Sequence, residues 1–109
     1  MTGPRRPREH PAARAERAAA ARWYERRERG LGRRFLDNTI AARKSVEDSP
    51  ESWGRYHQWD LDAPVVRARS VAKFPYDIIY FVTDGGEIVI VAYASESREP
   101  NYWADRLDD

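Results

Sequence analysis

Arg67 and Arg69 are the two side chains whose types and spacing point most directly to chemistry. They lie in a stretch that reads as a β-strand. Its period of two puts Val65, Arg67, Arg69 and Val71 on one face and Val66, Ala68, Ser70 and Ala72 on the other. The two guanidiniums then stand ~7 Å apart by strand rise. Forked cations at that separation can grip successive phosphates or a partner's carboxylates; the alternative is a solvated strand face. Other constellations are absent from the sequence. His10 and His57 are isolated, and Asp60 and Asp62 fall in a segment where solvated turn residues are expected. No nucleophile elbow, phosphate-binding loop, dinucleotide fingerprint or paired-histidine zinc motif occurs. The chain has no cysteine, which excludes disulfides, thiolate metal sites and a cysteine nucleophile. No metal and no cofactor is expected.

These residues must be held by a single domain, because 109 residues bury one modest core. No stretch approaches the ~18 consecutive apolar residues of a membrane span, and the basic N-terminus runs into arginine-studded alanines rather than a signal segment. The expected location is the cytoplasm, with no membrane partner. The net charge of +1 conceals an asymmetry. Residues 1–47 carry 13 Lys and Arg against 6 Asp and Glu, whereas residues 48–109 carry 6 against 12. The basic half can attract the acidic half, an acidic partner or a phosphate backbone, or form a solvated helical surface.

The order of elements follows from periodicity. Residues 1–9 are expected to be flexible or to give a short edge strand within Arg5–His10, where Pro7 limits pairing. Pro11 opens a helix running to about Arg29, with an apolar stripe of Ala12, Ala15, Ala19 and Trp23 beside Ala20 and Tyr24. Gly30 suits its C-terminal end. A second helix ends before Ser49-Pro50 and buries Phe35, Thr39, Ala42 and Val46, flanked by Leu36 and Ile40. The short link predicts an antiparallel helical hairpin with Arg22, Arg26, Arg29, Arg33, Arg34, Arg43 and Lys44 outside. Residues 50–64 form a connection in which Trp53, Tyr56 and Trp59 serve as anchors to the core. Strands are expected at Val65–Ala72, Tyr76–Thr83 and Glu87–Ala94, the last two joined by Asp84-Gly85-Gly86. Residues 100–109 read as a short helix or turn.

The fold class expected is α+β, a two-helix hairpin on a small antiparallel sheet. Helices cover one face of such a sheet, yet the hairpin strands are apolar on both. Ile78, Tyr80 and Val82 oppose Ile79 and Phe81, and Ile88, Ile90 and Ala92 oppose Val89, Val91 and Tyr93. The second face therefore needs a cover: Tyr102 and Trp103 for part of it, and a bound chain for the rest. Small residues on the Val66–Ala72 face suit packing against the alanine-rich helix, which leaves Arg67 and Arg69 on the open side.

Three segments in this order, "HPAARAE…AARWYERRERGLGRRF", "VRARSVAKFPYDIIYFV" and "IVIVAYASESREPNYWADRL", resemble the RelE/ParE superfamily, the toxins of bacterial type II toxin–antitoxin (plasmid stabilization) modules. The resemblance runs from about His10 to Leu107. It implies a two-helix hairpin on a small sheet, often with an additional N-terminal strand. It also implies growth arrest on expression and a cognate antitoxin that wraps the toxin. Function within the family divides. RelE-like members are ribosome-dependent mRNA interferases that use basic residues of the sheet face and the C-terminal segment. ParE-like members poison DNA gyrase without that set.

The resemblance makes Arg67, Arg69, Glu96, Arg98 and Tyr102 the candidates for a ribonuclease, and Arg67, Arg69, Lys73, Arg98, Tyr102 and Trp103 the candidates for holding a partner or target. Relatives commonly carry a histidine and two arginines before the proline, where this chain has Ser95-Glu96-Ser97-Arg98. RNA cleavage needs a base, an acid and cations for the phosphate. Glu96 offers a base and the arginines offer cations, but only a tyrosine with a strongly lowered pKa could serve as the acid. The expectation is a ParE-like toxin acting by binding, with DNA gyrase as the candidate target. The alternatives are an mRNA interferase working on the ribosome, or a degenerate, non-toxic partner-binding module.

Overall fold

A computed structural model of the chain describes residues 7–56, 58, 59, 61 and 64–108. His57, Asp60, Asp62 and the Arg5–Arg6 part of the expected N-terminal strand lie outside the described residues. The elements are β1 (Arg8–Glu9), α1 (Pro11–Arg27), α2 (Leu31–Asp48), β2 (Arg67–Ser70), β3 (Tyr76–Val82), β4 (Ile88–Ser95) and a closing 3₁₀ turn (Ala104–Asp108). This is an α+β fold, with the helical hairpin packed on a four-stranded sheet of order β1-β4-β3-β2. β2, β3 and β4 form an antiparallel meander. β1 adds to the outer edge of β4 in parallel, so the sheet is mixed rather than wholly antiparallel. The N-terminal strand is confined between Pro7 and Pro11, neither of which can donate to a ladder.

Local chemistry explains the hairpin. Pro11 sits at the first position of α1, and the His10 ring accepts from the Ala12 amide as its cap. Gly30 holds φ +88°, which a residue with a Cβ resists, and leads directly into α2. The carboxylate of Glu25 takes the amides of both Gly30 and Gly32, clamping the turn. A Cβ on Gly32 would lie 2.5 Å from the carbonyl oxygen of Ala21, so the two helices cross here with no room for a side chain.

The buried phase of α2 is the expected one: Phe35, Thr39, Ala42 and Val46 face the core, while Ile40 is exposed. The buried phase of α1 differs from the expected stripe. Ala13 and Ala20 are buried and Tyr24 half-buried, whereas Ala15, Ala19 and Trp23 face outward. Alanine gains little from burial, so an alanine-rich helix has no strong apolar side to fix its rotation. Its phase is set instead by Glu16 and Arg17, which turn inward to specific partners. Arg43 also leaves the expected outer surface and reaches back to Glu9.

The faces of the sheet are the reverse of those expected at β2. Arg67 pairs with Tyr80 and Arg69 with Ile78, and both of those side chains belong to the cluster under the helices. Ala68 instead joins the opposite cluster, beside Val66 and Ile79. A bulge in β4 adds a second shift. Ile79 pairs with Ala92 but Tyr80 pairs with Ile90, which leaves Val91 extra. Beyond it Tyr93 lies on the helix side with Ile88 and Ile90, and Ala92 joins Val89 and Val91 on the other. Simple alternation along β4 therefore fails at one residue.

The reverse face of the sheet is covered largely by the chain itself. Trp103 is 1% exposed and packs with Val66, Ile79 and Val91. Tyr56 and Trp59 close over its ring at 5.5 and 5.4 Å, and Leu107 and Tyr102 extend the cover. The loop aromatics are core anchors, as their placement in the sequence suggested. Trp103 and Tyr102 cover part of this face, as expected, and Tyr56, Trp59 and Leu107 cover more of the part that was left to a bound chain.

Candidate functional site

The C-terminal segment crosses the end of the sheet where β4 leaves its ladder with β3. Glu96 N bonds Pro75 O at 2.9 Å, and Arg98 N returns to Ser95 O at 3.0 Å, so Ser95–Arg98 forms a tight exposed turn. Asn101 holds φ +64° and anchors the segment through its side-chain amide to Gln58 O at 3.0 Å. The chain then drops Trp103 into the core and lays Tyr102 against α1.

Glu16 is the fixed point of this arrangement. Its carboxylate accepts two hydrogen bonds from Arg106, both at 3.0 Å, one from the Tyr102 hydroxyl at 2.7 Å and one from the Tyr93 amide at 3.1 Å. Arg106 also donates to Val91 O at 3.0 Å. These bonds fall along the outer edge of β4, beyond the point where β1 ends at the His10 N to Ile90 O bond. The Glu16–Arg106 pair thus supplies the donor and acceptor that an additional strand residue would have supplied, and it protects the edge of β4. A second hub lies on the helix side. Glu9 accepts from Arg17 at 3.1 Å, from Arg43 at 3.2 Å and from the Tyr93 hydroxyl in a short bond. Burial works to raise the Glu9 pKa, but the tyrosine hydrogen bond and the two guanidiniums outweigh it, and the carboxyl is held below its ordinary value.

Arg98 stacks its guanidinium 3.8 Å over the Tyr102 ring and stays exposed. It stands on the divide between two clefts. One, of about 490 Å³, runs between α1 and the C-terminal turn and is lined by Ala19, Trp23, Tyr24, Pro75, Tyr76 and Tyr93, together with Glu16 and Tyr102. The other, of about 460 Å³, is lined by Gln58, Asp77, Glu96, Glu99, Pro100 and Trp103. Trp23 is 44% exposed, an unusual position for an indole, with Arg27 4.1 Å over its ring.

The candidate residues divide into three groups. Glu96, Arg98, Tyr102 and Trp103 do come together at this end, with Trp103 as a buried anchor. Arg67 and Arg69 do not join them. Arg67 donates to Trp53 O at 2.7 Å and lines a separate cleft of about 640 Å³ near the β3–β4 turn. Arg69 donates to the Ser45 hydroxyl at 3.0 Å and lies 4.1 Å over the Trp53 ring. Both fasten the 50–56 loop and α2 to the sheet, so neither stands free on an open face. Lys73, at φ +67°, is exposed at the tip of the β2–β3 turn, outside the clefts described. Among the described residues no group of three His, Asp or Glu side chains is arranged to hold a metal ion.

Tyr102 is poorly suited to proton donation. Burial, then the hydrogen bond to Glu16 and its charge, raise the phenol well above its ordinary value, against the opposing pull of Arg106 and Arg98. Its proton is committed to Glu16. Sequence reasoning missed Glu9, Glu16, Arg17, Arg43 and Arg106. The available signal was that Glu16 and Arg17 share a helix phase with Ala13, Ala20 and Tyr24, because a charge on a buried stripe requires an internal partner.

No protein-family model matches the chain, and neither curated proteins nor solved structures give a significant match. No helix among the described residues is long and apolar enough to cross a membrane.

Proposed function

We propose that this chain is a toxin of RelE/ParE type that acts by binding a macromolecular target, with DNA gyrase the candidate, and is neutralised by a cognate antitoxin. The order of elements supports this reading, including the short N-terminal strand beside the last one and the Gly30-Leu31-Gly32 junction of the hairpin. The observation that carries the choice of binding over RNA cleavage is the dispersal of the nuclease candidates. Arg67 and Arg69 are tied to Trp53 O and Ser45 on the helix side. Tyr102 is locked to Glu16 with its pKa raised, so the tyrosine candidate for the acid is withdrawn from Glu96 and Arg98. What faces outward at this end is a binding surface: an aromatic cleft with Trp23 on one wall and the Arg98 cation at its rim. An antitoxin segment with an apolar anchor and an acidic neighbour would fit it.

Inducible expression of the chain alone tests the toxin reading. Growth arrest relieved by co-expression of the neighbouring gene's product is expected, and inhibition of gyrase supercoiling by the purified chain identifies the target. A harmless chain at good soluble yield overturns the toxin reading. New mRNA ends at ribosomal A-site codons after induction would replace binding with interferase activity. A third outcome has its own motive, because the exposed Glu96 sits beside Arg98 where relatives carry cations. If the wild type is inert and Ser95→His/Glu96→Arg gains toxicity, the chain is a decayed member kept for partner binding.

A further inference from the structure

The turn end of the helical hairpin carries a charge arrangement that packing does not require. Residues 22–34 contain six arginines, all exposed, and no lysine. The carboxylates of the same stretch are Glu25 and Glu28, and Glu25 is committed to the amides of Gly30 and Gly32. Arg33 pairs with Asp37 at 3.2 Å and Arg27 lies over Trp23. Among the described residues, no carboxylate reaches ion-pair distance of Arg22, Arg26, Arg29 or Arg34. The first turn of α2 has no acidic residue and instead places Arg33 and Arg34 at the positive end of the helix dipole. A chain selected only for stability would put acids there. Such an arrangement is relieved when an anion arrives.

From this we infer that the hairpin tip is a nucleic-acid surface, on which Arg22, Arg26, Arg29 and Arg34 take backbone phosphates and Trp23 stacks a base. Arg22 and Arg26 project from one face of α1, ~6 Å apart by helical rise. Arg29 continues from the turn and Arg34 from α2. Guanidinium forks bind phosphate oxygens in pairs. The exposed indole, covered on one side by the Arg27 guanidinium, decides between an acidic protein and a nucleic acid, because a base can replace Arg27 on the ring and a carboxylate cannot. The surface meets the Arg98 cleft at Trp23, while its four phosphate-binding arginines do not line that cleft; it does not depend on the toxin reading.

The test is fluorescence anisotropy with labelled single-stranded RNA and DNA of about 15 nucleotides, within the range of known single-strand sites. Four phosphates neutralised give a slope of log K on log salt of about −3, which is a loss of about fifty-fold from 50 to 200 mM. Arg26→Gln/Arg34→Gln retains helix-forming side chains and should flatten that slope by about 1.4. Trp23→Ala should weaken binding with the slope unchanged, and Arg14→Gln, at the other end of α1, should change neither. Circular dichroism melts within a few degrees of wild type confirm that these exposed substitutions leave the fold intact. The proposal is overturned by absence of binding at 50 mM salt, by a tip variant that binds as wild type does, or by polyglutamate competing as well as unlabelled nucleic acid.

Discussion

Replacing Glu16 by alanine should loosen the C-terminal segment from the helical hairpin at a cost that can be worked from its contacts. The Glu16 side chain is 18% exposed and that of Arg106 16%, so the pair is mostly removed from water. The substitution strands the Arg106 guanidinium, the Tyr102 hydroxyl and the Tyr93 amide together. Removing one partner of a buried ion pair costs ~3–5 kcal/mol. Residual solvent at Arg106 argues for the lower end, about 3 kcal/mol, and the Val91 carbonyl retains part of its hydrogen bonding. For a domain of this size that corresponds to a fall in melting temperature of ~12–24 °C. Urea denaturation followed by tryptophan fluorescence, with circular dichroism melts, measures it. A double-mutant cycle with Arg106→Ala should give a coupling of at least ~1.5 kcal/mol, because the two side chains share two bonds. If Glu16→Ala costs less than ~1 kcal/mol, or the coupling is under ~0.5 kcal/mol, the pair does not hold the segment and the account of the β4 edge is wrong.

Four further outcomes are expected. Glu9 has a folded pKa below its model-compound value of 4.5, so the stability it contributes is present above that pH and is lost as pH falls through the lower folded value; between pH 6 and pH 3, Glu9→Gln should show a shallower fall in melting temperature than wild type. Burial raises Tyr80 to about 12, and Tyr93 and Tyr102 further, so their stabilisation is complete below pH 10 and is lost above it. Tyrosinate absorbance should show three of the six tyrosines ionising only as the chain unfolds. Gly32→Ala should cost ~2–3 kcal/mol by urea melts, because backbone at 2.5 Å must move, against ~1–2 kcal/mol for Gly30→Ala from positive φ alone. Arg69→Ala should lower the melting temperature by several degrees, whereas exposed Arg98→Ala should leave it unchanged and, on the proposed toxin reading, weaken growth arrest and partner capture, so the two phenotypes should separate.

The fold was legible wherever side chains differ sharply in hydrophobicity. α2 sets Phe35 and Val46 against Arg33, Arg34 and Lys44, and its buried face could be read directly. The β3–β4 hairpin followed from two apolar runs around Asp84-Gly85-Gly86, and its turn closes through Gly86 N to Thr83 O at 2.9 Å. The hairpin junction was equally plain in Gly30-Leu31-Gly32. α1 was not legible in phase, because alanine on every side gives packing no preference and long-range charge pairing decides. Glu16 finds Arg106 ninety residues later, and Glu9 finds Arg43 thirty-four residues later. No local pattern encodes contacts at that separation.

The site was misread at one step, and the reason is physical. Period two fixes which residues of β2 share a face, but not which face meets the helices. Small Ala68 and Ser70 suggested the helix side, with arginines left outside. β2 is an edge strand of the sheet, reached by α2 only near that helix's C-terminal end. There a long side chain can lay its guanidinium over Trp53 and reach Ser45 or a loop carbonyl, so arginine acts as a spanning brace and needs no solvent face. Small residues suit the opposite side because Trp103, Tyr56 and Trp59 already fill it. The same two arginines that looked like a phosphate grip are therefore the fastening of the 50–56 loop. Among the described residues, Arg98 over Tyr102 and the arginine row at the hairpin tip are cations that this bracing leaves exposed.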